Sequence, residues 1–227
     1  MFFDYYYLIL VVPTLILSLV AQGKVKYAFN KYSRIPTKAR ISGKEIAEKL
    51  MFLSNIQNVS IKEIQGSLTD HYDPTTKILR LSQTVFNKTS IAAVGVSAHE
   101  VGHAIQDKIG YAPLILRGTL VPIANIGSNF GPLLAIAGLI FGISIITNLG
   151  IILFSIAVLF YLITLPVEID ASRRALNILK ETHLLSSDEL YGIKIVLTAA
   201  AFTYIASALT AVASLIRLIL LERDRRR

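Results

Sequence analysis

Four long apolar runs constrain this chain before any other feature does. They occupy residues 5–20 (extended by Ala21 and Gln22), 123–147, 149–165 and 196–221. A helix needs about 20 mostly apolar residues to cross a hydrocarbon core about 30 Å thick, and these runs are of that order. Tyr5, Tyr6 and Tyr7 stand where an interfacial aromatic belt would sit. Only Asp4 supplies charge ahead of the first run, so it reads as a retained anchor rather than a signal peptide, which would open on a basic stretch. The second run carries Gly127, Gly131, Gly138 and Gly142, which suits close helix packing, and the third closes at Pro166. Together they predict a membrane hairpin jointed near Asn148.

The chain has no cysteine among its 227 residues, so disulfides and thiolate metal ligands are excluded. Its net charge of +8 is unevenly placed. Lys24, Lys26, Lys31, Arg34, Lys38 and Arg40 follow the first run, and Arg223, Arg225, Arg226 and Arg227 close the chain. No basic-aromatic stripe accompanies them, so the charge is an orientation signal and no nucleic-acid partner is expected. By the positive-inside rule the N-terminus lies outside and 23–118 faces the cytoplasm. The basic tail runs against that rule if the fourth run crosses completely.

The polar stretch predicts a small mixed α+β region. Ser42-Gly43-Lys44-Glu45 is a capping box, opening a helix with Ile46, Leu50, Met51 and Leu53 on its apolar side. Residues 59–64, 67–72 and 77–82 read as short strands, the last two separated by the turn Asp73-Pro74-Thr75-Thr76. The expected fold is an α-rich α+β membrane protein: about four transmembrane or membrane-associated helices, with a small antiparallel sheet beside the helix that follows. Its expected segments are an anchor at 1–22, a catalytic region at 23–118 and a transmembrane hairpin at 119–166. A third-ligand helix and connection at 167–195 and a C-terminal transmembrane helix with basic tail at 196–227 complete it.

The chemistry-bearing motif is His99-Glu100-Val101-Gly102-His103, or H-E-x-x-H. It lies in the stretch 90–106, a helix pattern almost wholly apolar outside the motif, with Thr89 or Ser90 as N-cap. Residues four apart on a helix differ by about 40° in direction, so two imidazoles so placed can chelate one Zn²⁺. Glu100 projects beside them, where it can take a proton from water. Three ionisable groups in such a helix are costly unless metal or partners satisfy them.

A catalytic zinc site takes a third protein ligand. Gln106 and Ile109 stand where a metzincin would have Gly and His, which excludes that class. Asp107 lies about 12 Å along the axis from His99, too far to share an ion. The remaining candidates are Glu168 and Asp170, just past the hairpin and returned by it to the motif's side of the membrane. Two residues apart on a helix, they point about 160° away from each other, so one of them faces the metal. Glu168 is preferred, with the small Ala171 and Ser172 on its side; Asp170 has Arg173 and Arg174 within pairing distance and stays as the alternative. His71 or Tyr72 is a candidate transition-state or substrate contact on an edge strand to which a peptide could add. His183 reads as a surface residue.

Three blocks together carry a family resemblance: LTDHYDP at 68–74, VSAHEVGHAIQ at 96–106 and LPVEIDASRRAL at 165–176. With them nearly the whole chain resembles the membrane zinc metallopeptidases of the YugP type. The resemblance implies a bacterial membrane zinc peptidase with H-E-x-x-H ligands. More distantly the chain resembles the gluzincins that include the HtpX and CAAX-prenyl proteases, whose third ligand is a downstream Glu. Those enzymes carry Asp four residues after that Glu; Ser172 stands there in this chain.

The resulting expectation is a multi-pass zinc metalloendopeptidase of the bacterial inner membrane, its catalytic face cytoplasmic. It holds one Zn²⁺ per chain on His99, His103 and Glu168, with Glu100 as general base. Its partners are a membrane-associated protein or peptide substrate and the lipid bilayer. An intramembrane-cleaving, site-2-like protease and a membrane scaffold with a vestigial zinc site are the rival readings.

Overall fold

The computed structural model describes residues 4–226. In chain order the elements are α1 (Val12–Tyr32, entered through a π-type turn at Tyr7–Val11), α2 (Gly43–Leu53), β1 (Ser60–Ile64), β2 (His71–Asp73), β3 (Ile78–Ser82), α3 (Ile91–Lys108), α4 (Ala112–Phe141), α5 (Ser144–Glu181) and α6 (Ser187–Arg225). The protein is α-rich, with one small three-stranded sheet. Four helical segments, Tyr7–Tyr32, Ala112–Phe141, Ser144–Glu181 and Ser187–Arg225, are long and apolar enough to cross a membrane.

Two compact units are built from these elements. One comprises 1–22, 115–166 and 202–227, and the other 23–114 and 167–201. In the first, α4 and α5 approach so closely that glycine is required at the contacts. A Cβ on Gly127 would strike the Leu153 carbonyl, and one on Gly150 would strike the Ala135 backbone. The joint between these helices is at Gly142, in the left-handed region at φ 73°, rather than at Asn148. Asn148 instead lies within α5 and accepts a hydrogen bond from Arg226 at 3.2 Å.

Charges at one end of this unit neutralise one another. Arg217, within the fourth apolar run, is held by Asp4 at 2.6 Å and lies over the Tyr7 ring at 5.1 Å. Tyr6 donates to Asp224 at 2.6 Å. Glu222 takes both Arg225 (3.0 Å) and Arg226 (2.8 Å). Much of the basic tail's charge is therefore committed to ion pairs, which weakens its force as an orientation signal.

The second unit carries the polar region. Ser42 accepts from the Glu45 backbone, and Glu45 reaches back to the Ser42 N–H at 2.7 Å, the reciprocal box that opens α2. Ile46, Leu50 and Met51 are buried, while Leu53 is exposed. The sheet order is β1-β3-β2. The sheet is mixed rather than antiparallel throughout: β2 pairs antiparallel with β3, but β1 pairs parallel with it. The chain reverses twice between β1 and β3, so β3 regains the direction of β1. The strand expected at 67–72 shrinks to His71–Asp73, because Gly66 and Leu68 turn the chain at φ 105° and 58°.

Leu79, Leu81, Val85, Val94, Val101, Leu179 and Ile193 fill the core between the sheet, α2, α3 and the helical stretches of this unit. Each such side chain contributes about 1.5–3 kcal/mol on burial. Helix α5 does not stop at Pro166 but continues through it to Glu181. Proline lacks only one N–H, and a helix with both flanks well packed tolerates that loss. One helix therefore holds both the third run and the stretch expected as a separate helix at 168–182.

Candidate metal centre

The site is built where α3 crosses α5. Ser90 caps α3, accepting from Ala93 N at 3.2 Å. Thirteen residues of α3 are buried, Glu100 to His103 among them, with His99 half-buried, so the helix is a core element with fixed side-chain directions. At Gly102 it rests on α5: a Cβ there would collide with the Ala171 carbonyl. That contact draws the motif against the turn of α5 that carries Glu168 and Ser172.

His99, His103 and Glu168 come together, each offering one ligand atom, with these atoms within 4.8 Å of one another. Glu168 Oε2 is 3.2 Å from His99 Nε2 and 3.5 Å from His103 Nε2. The two imidazole rings are nearly perpendicular, their centroids 4.7 Å apart. The distal nitrogens are held from behind. His103 Nδ1 lies 3.0 Å from Gln106 Oε1, an acceptor, so Nδ1 carries the proton and Nε2 presents a lone pair. His99 Nδ1 meets Ser172 Oγ at 3.1 Å.

This donor set fits zinc. Ligands about 2.0–2.1 Å from a tetrahedral ion stand about 3.3 Å apart, and the two nitrogen–oxygen separations bracket that value. The cluster holds three such residues and no fourth among the described residues, the count of a site that keeps one position open. The outer contacts of Gln106 and Ser172 supply the ring-orienting bonds that metal-binding histidines commonly make.

Asp170 stands apart from the three. Its carboxylate takes Arg173 at 2.7 Å, Arg174 at 2.5 Å and Gln106 Nε2 at 3.0 Å. Gln106 Nε2 also donates to the Val167 carbonyl at 2.8 Å. One buried amide therefore orients His103 and fastens α3 to α5. Sequence reasoning weighed Gln106 only as a non-ligand; its i,i+3 spacing from His103 was the signal that could have found it.

Glu100 is buried beside the cluster. Burial pushes its carboxyl up to about 7; the charges of Glu168 and Asp70 add to this, while His99 and the Tyr72 backbone N–H oppose it. Asp70, also missed from sequence, caps the end of β3 by accepting from Ser82 N at 2.7 Å and Ser82 Oγ at 3.0 Å. Neither His71 nor Tyr72 joins the ligand cluster. The Tyr72 hydroxyl donates to Asp107 at 2.6 Å, which also receives Lys77 at 2.5 Å. His71 is exposed and donates from Nδ1 to the Thr69 carbonyl at 2.9 Å. Both lie on β2, an edge strand of the sheet. His183 is exposed in the loop after α5.

Two imidazoles and a carboxylate on crossed helices form a cluster that could hold a metal ion, in an α-rich chain with four helices long and apolar enough to cross a membrane. The family described as "Putative neutral zinc metallopeptidase" matches residues 7–223, and the chain belongs to it. The chain is similar to the "Putative membrane protease YugP" of Bacillus subtilis (strain 168), with 41% identity over 215 residues that cover 95% of this chain and 96% of that protein. No solved structure matches.

Proposed function

We propose that this chain is a zinc metalloendopeptidase of the bacterial inner membrane, with one Zn²⁺ held by His99, His103 and Glu168. The convergence of those three donors, with the carboxylate 3.2 and 3.5 Å from the two imidazoles, carries the reading. Zinc bound there supplies Lewis acidity toward a carbonyl oxygen and toward water. Glu100 takes the proton of the attacking water on its carboxylate and delivers it to the leaving amine. Burial suits it to both roles, since a carboxyl with its pKa near neutrality both accepts and releases a proton. Gln106 and Ser172 keep the imidazoles aimed. The edge of β2 beside α3 offers backbone groups to an extended peptide, with His71 and Tyr72 on that strand as substrate contacts.

Enclosure of α3 in the core favours cleavage of a membrane-associated protein or peptide outside the hydrocarbon layer over intramembrane cleavage. The basic residues after the first span favour a cytoplasmic catalytic face. The test compares purified wild type with His99→Ala, Glu168→Ala and Glu100→Gln. Elemental analysis is expected to give one zinc per wild-type chain, its loss in the first two variants and its retention in Glu100→Gln. Cleavage of a soluble peptide library is expected to fall by about 10²–10⁴-fold in Glu100→Gln. Full zinc in Glu168→Ala, or wild-type turnover in Glu100→Gln, would refute the assignment.

A further inference from the structure

A groove of about 650 Å³ runs between the C-terminal part of α5 and the N-terminal part of α6, within the second unit. The metal centre does not use it, although Ser172, which holds His99, is part of its wall. Its lining is amphipathic in a definite order. On α5, Lys180 lies at one end and Ile169 at the other; on α6, Leu190 and Tyr191 precede Lys194, and Leu197 and Ala201 follow it. Lys180 and Ile169 are about 16 Å apart along the helix. The apolar ends are the ends that continue into the apolar runs of 149–165 and 196–221.

The charges are of one sign. Lys180, Lys194 and Arg173 line the groove, and no acidic residue does. Arg173 is engaged by Asp170 at 2.7 Å. Lys180 and Lys194 are exposed and form no ion pair or hydrogen bond among the described residues. Two uncompensated ammonium groups in a groove with apolar side chains between and beyond them call for an anion joined to a hydrocarbon chain. Ile169, Leu197 and Ala201, at the end away from the α5–α6 loop, suit the hydrocarbon, and the two lysines, nearer that loop, suit the phosphate.

We infer that this groove binds an anionic glycerophospholipid of the host membrane, its headgroup phosphate on Lys180 and Lys194 and one acyl chain against Ile169, Leu197 and Ala201. The inference is independent of the peptidase reading, since none of these residues belongs to the donor set.

The test uses the full chain, purified in detergent and stripped of lipid, with retention of dioleoyl-phosphatidylglycerol and dioleoyl-phosphatidylcholine compared by native mass spectrometry at limiting lipid. Phosphatidylglycerol is expected to be retained in preference. Lys180→Gln with Lys194→Gln is expected to weaken its binding about 30-fold, about fivefold for each membrane-facing cation, and to leave phosphatidylcholine unchanged. Thr198→Trp, which fills the groove from an exposed position, is expected to weaken both lipids. A Lys49→Gln with Lys62→Gln control, exposed and elsewhere, is expected to bind as wild type.

Equal retention of the two lipids, or no loss in the Lys180/Lys194 variant, would overturn the inference. So would equal binding of glycerol phosphate alone, which needs no acyl channel. Lysine-dependent binding of an acidic peptide, with phosphatidylglycerol unaffected by the same variant, would make the groove a peptide-binding site instead.

Discussion

Gly102 of α3 lies so close to the Ala171 carbonyl of α5 that no methyl group fits between them. The glycine is inside the H-E-x-x-H motif, so helix spacing and ligand placement are set by one residue. Gly102→Ala is expected to force the helices apart, with an overpacking cost of about 1–3 kcal/mol. His99 and His103 would then be carried away from Glu168, and zinc affinity would fall together with thermal stability. Titration with a competing chelator and thermal unfolding check this. Wild-type zinc affinity in a folded Gly102→Ala protein would show that the site does not depend on the close approach.

The amide of Gln106 makes a different prediction. It accepts from His103 and donates to Val167 and Asp170. Gln106→Leu keeps much of the volume and removes the ring-orienting bond. A loss of about 10–100-fold in zinc affinity is expected, the usual scale for such an outer contact. Asp170→Ala is expected to behave differently: zinc is kept, while unfolding shifts to lower temperature because Arg174 loses its partner. Loss of zinc in Asp170→Ala with retention in Glu168→Ala would reverse the assignment of the two carboxylates.

What the sequence reveals of this molecule depends on whether the determining contact is local. The apolar runs, the Ser42 capping box and the His99–His103 spacing are written in neighbouring residues, and each is visible in the string. The path of α5 through Pro166 is not, because proline is a helix breaker on average and only packing on both flanks keeps the helix going. The direction of β1 could not be read either: alternation marks a strand but says nothing about its partner, and β1 lies beside β3, not β2. Gln106 was hidden in part for the same reason: its spacing from His103 is local, but its other partners are not. Its importance comes from Val167 and Asp170, some sixty residues away along the chain.

Orientation gives a prediction of its own. Lys24 to Arg40 follow the first span, and Arg225 and Arg226 are tied to Glu222. The basic residues after the first span therefore favour a cytoplasmic location for the polar region that follows. The chain contains no cysteine, so a single introduced thiol reports without background. A cysteine replacing the exposed Lys62 is expected to resist an impermeant maleimide in intact cells and to react after permeabilisation. Labelling in intact cells would place the metal-bearing region outside.

The last prediction concerns acid stability, where two neighbouring aspartates act with opposite sign. Asp73 accepts from the Thr76 hydroxyl, from the Thr75 and Thr76 N–H groups and from Arg80, and these bonds hold its carboxyl below the usual carboxylate range. A depressed carboxyl contributes stability that is complete above its unfolded value, about 3.9, and is lost as pH falls toward the folded one. Burial instead raises Asp70 despite its bonds to Ser82. A raised carboxyl favours the folded state while protonated, and that advantage is lost as pH rises from about 3.9 through the folded value. Asp73→Asn is therefore expected to flatten the fall in stability below pH about 4, and Asp70→Asn to remove a loss that sets in above it. Thermal unfolding of both variants and the wild type across pH 3 to 6 checks the pair. Parallel curves for wild type and Asp73→Asn would show that the Thr76 and Arg80 contacts do not hold the Asp73 charge.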